Sequence, residues 1–355
     1  MLQFFLKKRL IITALAVGAA LGTWIFLTCA SRQTARFEFN VDDPARFAAL
    51  ELAAPAELYG WRLNDQPVPL PFEGMTYEKI PAIPSSLLVK GRNVLQAAVP
   101  LLPPLQAPSP EELEGEVFAL EQKGSVFPVR VSGLTISSPC RFTIGPVLGS
   151  AGADFFTVAC QTNMPVPVSL EVAGRILESP AGAAHCWRVD GLQPGAVYEY
   201  RLSAEHPLTG GSVTSGPYHV RTFDEGEDLL FAACGDSRSS PEIWARTAAF
   251  ICSRKPALFI HTGDMVTEGF LYNAWPREMF DPAAELLSSV PAYPVIGNHE
   301  YNADIFQRLL QPPSGLQNWE QRIGPVQIIG IDGALDWSSG SARWPQFLPG
   351  IRACA

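Results

Sequence analysis

Apolar residues in the last third of the chain fall into short unbroken runs, and each run stops at a glycine followed by a polar residue. Residues 229–234 lead into Gly235-Asp236, residues 257–260 into His261-Thr262-Gly263-Asp264, and residues 292–296 into Gly297-Asn298-His299-Glu300. Runs of this length without polar alternation suit strands covered on both faces. Between the first two runs, residues 241–253 space Ile243, Trp244, Thr247, Ala248 and Ile251 for one helical face, and residues 275–289 carry a second helical stretch. Strand, helix, strand, helix, strand implies an α/β domain with a largely parallel sheet. Each polar motif then lies just past the C-terminal end of a strand, where ligand sites of such sheets cluster. Residues 326–332 read as a fourth core strand.

The first two thirds read differently. Within residues 37–100, Tyr59 to Leu63, then Asn64-Asp65, then Gln66-Pro67-Val68 predicts strand, turn, strand. Residues 87–95 predict two strands around Gly91-Arg92-Asn93, a run that resembles the later strands of jelly-roll, galactose-binding-like modules. Residues 101–138 read as a linker, Pro-rich and then acidic at Glu111, Glu112, Glu114 and Glu116. From 139 to 223, strand candidates at 142–144, 155–159, 167–172 and 198–202 are separated by Gly, Pro and Asn clusters at sandwich-like spacing. The stretch from Leu192 to Tyr200 resembles the corner of fibronectin type III domains, where a tyrosine bonds the upstream backbone.

The N-terminus sets the compartment. Lys7, Lys8 and Arg9 precede an apolar run over residues 10–30, long enough to cross a bilayer. It is read as a signal peptide or membrane anchor, with Thr28-Cys29-Ala30 a small-residue cleavage site and Cys29 the alternative lipid-attachment point. Either way the bulk of the protein is expected outside the cytoplasmic membrane, secreted, periplasmic or anchored. In that setting a disulfide among Cys140, Cys160 and Cys186 is open, with no pair chosen. A formal net charge of −9 argues against nucleic acid as a partner, because phosphate backbones need a basic face. It leaves room for a small phosphate ester, since metal ions supply positive charge locally.

Carboxylate, carboxamide and imidazole side chains are what hard and borderline divalent cations bind. A two-metal hydrolase needs several of them, brought from separate strand ends onto two ions. A glycine before each ligand lets the backbone turn sharply off its strand. The order Gly-Asp, Gly-Asp, Gly-Asn-His-Glu resembles that of calcineurin-like metallophosphoesterases, and a preceding β-sandwich makes the purple acid phosphatase branch the nearest likeness. That resemblance implies two divalent or trivalent metal ions (Fe, Zn or Mn), with Asp236, Asp264 and Asn298 as metal ligands. It implies that His299 protonates or hydrogen-bonds the leaving oxygen, with Glu300 orienting it, and that the substrate is a phosphate ester. Relatives often carry Asp-x-His at the first motif, where this protein has Asp236-Ser237-Arg238. A permanently charged guanidinium does not ligate metal, so Arg238 is expected to hold the substrate phosphate. Purple acid phosphatases carry a tyrosine ligand in the second motif, where this protein has Thr267. His261, on an apolar run, is expected in the core.

The family completes its metal site with later histidines, yet none of the 5 histidines follows His299. The phosphoesterase domain, residues 228–355, is therefore expected to be incomplete, shortened at its C-terminal end. The overall expectation is a multidomain protein: an N-terminal segment over 1–30, β-sandwich modules, then a partial α/β metallophosphoesterase domain. The competing expectation is an inactive exported protein whose sandwiches bind a protein or glycan.

Overall fold

The computed structural model describes residues 34–98, 116–120 and 129–333, apart from the single positions 55, 57, 225, 227, 302, 316, 317 and 325. The N-terminal export segment lies outside the described residues. Among the described residues no helix is long and apolar enough to cross a membrane.

The first β-rich module is built from β1 (Thr34–Val41), β2 (Phe47–Ala53), β3 (Tyr59–Leu63), β4 (Gln66–Pro67), β5 (Lys79–Pro84), β6 (Gly91–Ala98), β7 (Glu116–Leu120) and β8 (Val129–Thr135). They form two four-stranded sheets, β1-β6-β3-β4 and β5-β2-β8-β7. Phe37, Phe39 and Val41 point inward from β1 while Glu38 and Asn40 face water, the two-residue period of a strand with one covered face. Strand β2 is buried along almost its whole length because both its faces are covered. The turn at Asn64 (φ 51°) and Asp65 (φ 62°) is left-handed at both central residues, which Asn and Asp tolerate and a two-residue hairpin requires. Residues 87–95 do not form two strands. Residues 85–87 make a 3₁₀ turn and one strand, β6, follows from Gly91. The span read as a linker contains β7 and β8, which pair with each other and, through β8, with β2.

The second module comprises β9 (Phe142–Ala151), β10 (Phe155–Val172), β11 (Arg175–Asp190), β12 (Val197–Glu205) and β13 (Ser212–Arg221) in one sheet, β11-β10-β12-β13 with β9 also on β10. The candidates at 155–159 and 167–172 are one long strand, bent where its register against β11 shifts between Gln161 and Val168. The Tyr198 hydroxyl accepts the Gln193 N–H at 2.8 Å, closing the corner before β12 onto the upstream backbone. Cys140, Cys160 and Cys186 are all free thiols.

The α/β part contains β14 (Phe231–Cys234), α1 (Pro241–Ser253), β15 (Leu258–His261), α2 (Ala284–Ser289), β16 (Ala292–Pro294), β17 (Trp319–Ile323) and β18 (Val326–Gly330). Pro241 starts α1 where its missing N–H costs nothing, and Trp244, Ala248 and Ile251 bury one face. Ile243, assigned to that face, is exposed. Strands β14, β15 and β16 pair in parallel in that order, with Cys234 beside His261 and His261 beside Pro294. The three strand ends are therefore level. The helical stretch after Trp275 is broken into a π-helical turn over Pro276–Phe280 and the short α2. β18 does not join this sheet as a fourth core strand. It pairs antiparallel with β17 as a separate hairpin.

The parts interlock through buried polar contacts. Tyr293 of β16 donates its hydroxyl to the Ala151 carbonyl and accepts the Ala151 N–H at 3.1 Å. The Tyr200 hydroxyl donates to the Ser288 carbonyl at 2.6 Å. From the first module, Thr76 exchanges backbone hydrogen bonds with Phe270 (2.8 Å) and Tyr272 (2.9 Å), and Tyr77 stacks on Tyr272 with ring centroids 4.9 Å apart. One apolar core runs from Phe37 and Leu50 of the first module to Trp275 and Phe306 of the α/β part.

Candidate active site

The three motifs meet because their strands are neighbours in register, and backbone hydrogen bonds then tie loop to loop. Asp236 N–H donates to the Gly263 carbonyl at 2.9 Å, Thr262 N–H to Cys234 at 2.9 Å, and Gly269 N–H to His299 at 2.8 Å. Both aspartates of the Gly-Asp motifs adopt left-handed backbone, Asp236 at φ 54° and Asp264 at φ 55°. Asp is among the few side chains that tolerate that region, and such conformations concentrate at functional sites.

Two buried groups brace the loops from beneath. Glu300 is fully buried, and its carboxylate accepts N–H groups from Gly297 (2.6 Å), Met265 (2.7 Å), Asp264 (3.0 Å) and Val266 (3.4 Å). It joins the second motif to the third and does not orient His299 as expected. Burial pushes its pKa above the usual carboxylate value, opposed by those backbone donors. His261 is buried as expected, its pKa held down at about 4 by burial. Its Nδ1 accepts the Gly263 N–H at 3.3 Å, which leaves Nε2–H to donate to Ser237 Oγ at 2.9 Å.

His299 is oriented by the Thr267 carbonyl, which accepts from Nδ1 at 2.7 Å. Nε2 is thereby an acceptor, and it accepts from Arg238 Nη1. Thr267 is itself clamped by the Glu278 carboxylate, which takes its N–H at 2.7 Å and its hydroxyl at 2.8 Å. Thr267 therefore makes a scaffold contact at the position where the resemblance would place a tyrosine. Glu278 and the Thr267 carbonyl are site residues that motif reading misses. The signal for Glu278 is a carboxylate inside a buried turn between Arg277 and Met279.

Arg238 is the hub. Its Nε donates to Asp236 Oδ1 at 2.9 Å, Nη1 to His299, and Nη2 lies 3.7 Å from Asp264 Oδ2. The Asp236 hydrogen bond holds the guanidinium's pKa above its ordinary value. Four of the five expected site residues, Asp236, Arg238, Asp264 and His299, thus form one contact network. Asn298 lies exposed on the same loop as His299 and outside that network. The Asp236 side chain is 72% exposed, open to an incoming group.

The glycines have steric reasons. A Cβ at Gly297 would lie 2.2 Å from Asp264 Oδ1 and 2.4 Å from Asp264 N. Gly297→Ala is therefore expected to push the second and third motifs apart. The expected outcome is about 2–3 kcal/mol of lost stability and loss of divalent-ion binding, measured by urea denaturation and calorimetry.

Donor chemistry at the site suits a hard cation in kind, and the guanidinium that already joins Asp236 and Asp264 shows that the two carboxylates converge on positive charge. In number the donors fall short of two ions. Asp236, Asp264 and Asn298 are three, and among the described residues no three His, Cys, Asp or Glu side chains gather to hold a metal.

The calcineurin-like phosphoesterase family model matches residues 229–339. A purple acid phosphatase, PPD1 from yellow lupin (Lupinus luteus) seeds, is similar in structure at 13% identity, over 91% of this chain and 68% of that one, with a TM-score of 0.51. An exo-chitosanase of Amycolatopsis orientalis (15% identity, 74% of this chain, 35% of that one, TM-score 0.28) and a β-glucuronidase of Bacteroides uniformis (8%, 75%, 36%, 0.26) share too little of the fold to inform it. No curated protein matches the sequence. The β-rich region before the α/β part is consistent with a fibronectin-like domain. Residues 229–339, which hold the three motifs, thus match the calcineurin-like phosphoesterase model, which supports a hydrolase classification, and the fold is shared with a purple acid phosphatase.

Proposed function

We propose that this protein is an exported, metal-dependent phosphatase acting on phosphate esters in the manner of acid phosphatases. The observation that carries the reading is the Arg238 network, in which one guanidinium touches two strand-end carboxylates and the imidazole of the third motif. Asp236, Asp264 and Asn298 would hold metal, iron, zinc or manganese, as half of the dinuclear set that the family uses. Metal at such a site neutralises phosphate charge and acidifies bound water.

The protein's own residues account for the rest. A guanidinium carries five N–H donors, and its hydrogen bonds to Asp236 and His299 use two, leaving donors for phosphate oxygens. The Thr267 carbonyl fixes the Nδ1–H of His299 and turns Nε2 into the site; once Arg238 turns to phosphate and the ring is protonated, Nε2 would be the atom that gives a proton to the leaving oxygen. Export is supported by the basic-then-apolar segment over residues 1–30. The two β-rich modules, the first of which bonds the Phe270 loop through Thr76, suit contacts with a protein or glycan on the outside.

Titration of inorganic phosphate into the metal-loaded protein tests the assignment. Arg238→Ala is expected to weaken phosphate about tenfold or more, with Arg238→Lys intermediate because it keeps charge without the fork. Unchanged phosphate affinity in Arg238→Ala would remove the residue from substrate binding.

A further inference from the structure

The hydrolytic reading leaves two aromatic rings beside His299 unused. Tyr301 is 53% exposed and Phe270 42% exposed. Their ring centroids are 5.5 Å apart at 57°, and the Tyr301 ring lies 6.5 Å from the His299 ring at 64°. Paired rings open to solvent next to a reactive imidazole form an apolar surface that a ligand would cover.

The rings are also held in place. Tyr301 has left-handed backbone, φ 48°, a conformation that tyrosine rarely adopts and that fixes where its side chain leaves the loop. The Phe270 carbonyl accepts both the N–H (2.8 Å) and the hydroxyl (3.3 Å) of Thr76, so the first module anchors it. Gly269 N–H donates to the His299 carbonyl, and a Cβ at Gly269 would lie 2.3 Å from the Glu300 carbonyl oxygen. The Phe270 loop and the His299 loop can be this close only because residue 269 lacks a side chain.

We propose that Tyr301 and Phe270 form a stacking platform for the leaving group, and that the preferred substrates are phosphate esters with an aromatic ring on, or one carbon from, the ester oxygen. The proposal rests on the phosphatase reading, because it takes His299 as the group that faces the leaving oxygen. The 6.5 Å between the His299 and Tyr301 rings leaves room for a ring attached close to that oxygen. A nucleobase carried across a ribose sits farther out. Offset or edge-on aromatic contacts add affinity beyond that of buried area alone.

Binding of non-hydrolysable phosphonates to the metal-loaded full-length protein, measured by calorimetry, tests the platform. Benzylphosphonate is expected to bind about tenfold tighter than cyclohexylmethylphosphonate, which is of similar size but cannot stack. Tyr301→Asn should bring that ratio close to one and leave methylphosphonate affinity unchanged. Asn is comfortable in left-handed backbone, so the variant keeps the loop. Tyr301→Phe should preserve the ratio. Equal affinity of the wild type for the benzyl and cyclohexylmethyl compounds would overturn the platform while leaving the phosphatase reading intact. A nucleoside phosphonate binding more tightly than benzylphosphonate would overturn the short-reach substrate class. If no phosphonate binds at all, the phosphatase reading falls and the platform with it.

Discussion

Glu300→Ala is expected to cost about 3–5 kcal/mol of stability and to disorder the second and third motifs together. Four backbone N–H groups from two loops end on this one carboxylate, and the residue is fully buried. Alanine would leave those donors without an acceptor in a place that water does not reach. Each buried orphan costs about 1–3 kcal/mol, reduced in sum as the loops relax. Glu300→Gln should fall between, because its carboxamide keeps one acceptor oxygen and turns an NH₂ toward amides that also donate. Urea denaturation followed by tryptophan fluorescence reads the loss, since Trp244 and Trp275 lie in the same core. A midpoint shift worth less than about 1 kcal/mol would show that the loops are held by other contacts.

This brace also shows where sequence reading stops. The alternation of strand and helix and the placing of Asp236, Asp264 and His299 just past strand ends were legible, because unbroken apolar runs followed by glycine leave few other structures; that the three strands are neighbours was not. Helix α1 was legible over its full length from Pro241 and the spacing of Trp244, Ala248 and Ile251. What escaped are contacts made through backbone atoms, which residue identity does not encode. The Thr267 carbonyl that orients His299 and the four N–H groups on Glu300 are of that kind. Glu300 therefore reads as a partner of His299 when it is a joint between loops. Strand β11 escaped because its first half, from Arg175 to Ala181, is largely exposed and lacks a sustained apolar alternation. Strands β7 and β8 escaped because each pairs with a neighbour that the intervening prolines and acids conceal. The hub role of Arg238 was visible only as a departure from the Asp-x-His pattern. Its simultaneous contact with Asp236, Asp264 and His299 needed coordinates.

The second large effect is catalytic. Asp264 lies between Arg238 and the Glu300 brace, and its side chain makes only long contacts, 3.4 Å from the His299 N–H and 3.7 Å from Arg238 Nη2. Its fold role is carried instead by its backbone N–H on Glu300. Asp264→Asn therefore keeps shape and backbone while removing the charge that the proposed metal site would draw on. Removing one such electrostatic group from a preorganised site typically costs about 10²–10³ in rate. The most direct measurement is hydrolysis of p-nitrophenyl phosphate by the full-length protein, with zinc, manganese or iron supplied, in wild type and Asp264→Asn side by side. The expected result is metal-dependent turnover in the wild type and kcat/KM at least about 100-fold lower in the variant, with unchanged circular dichroism. Equal turnover by the two proteins, or no turnover by the wild type with any of the three metals, would contradict the assignment of the Asp236, Arg238, Asp264 and His299 cluster as a phosphoesterase centre.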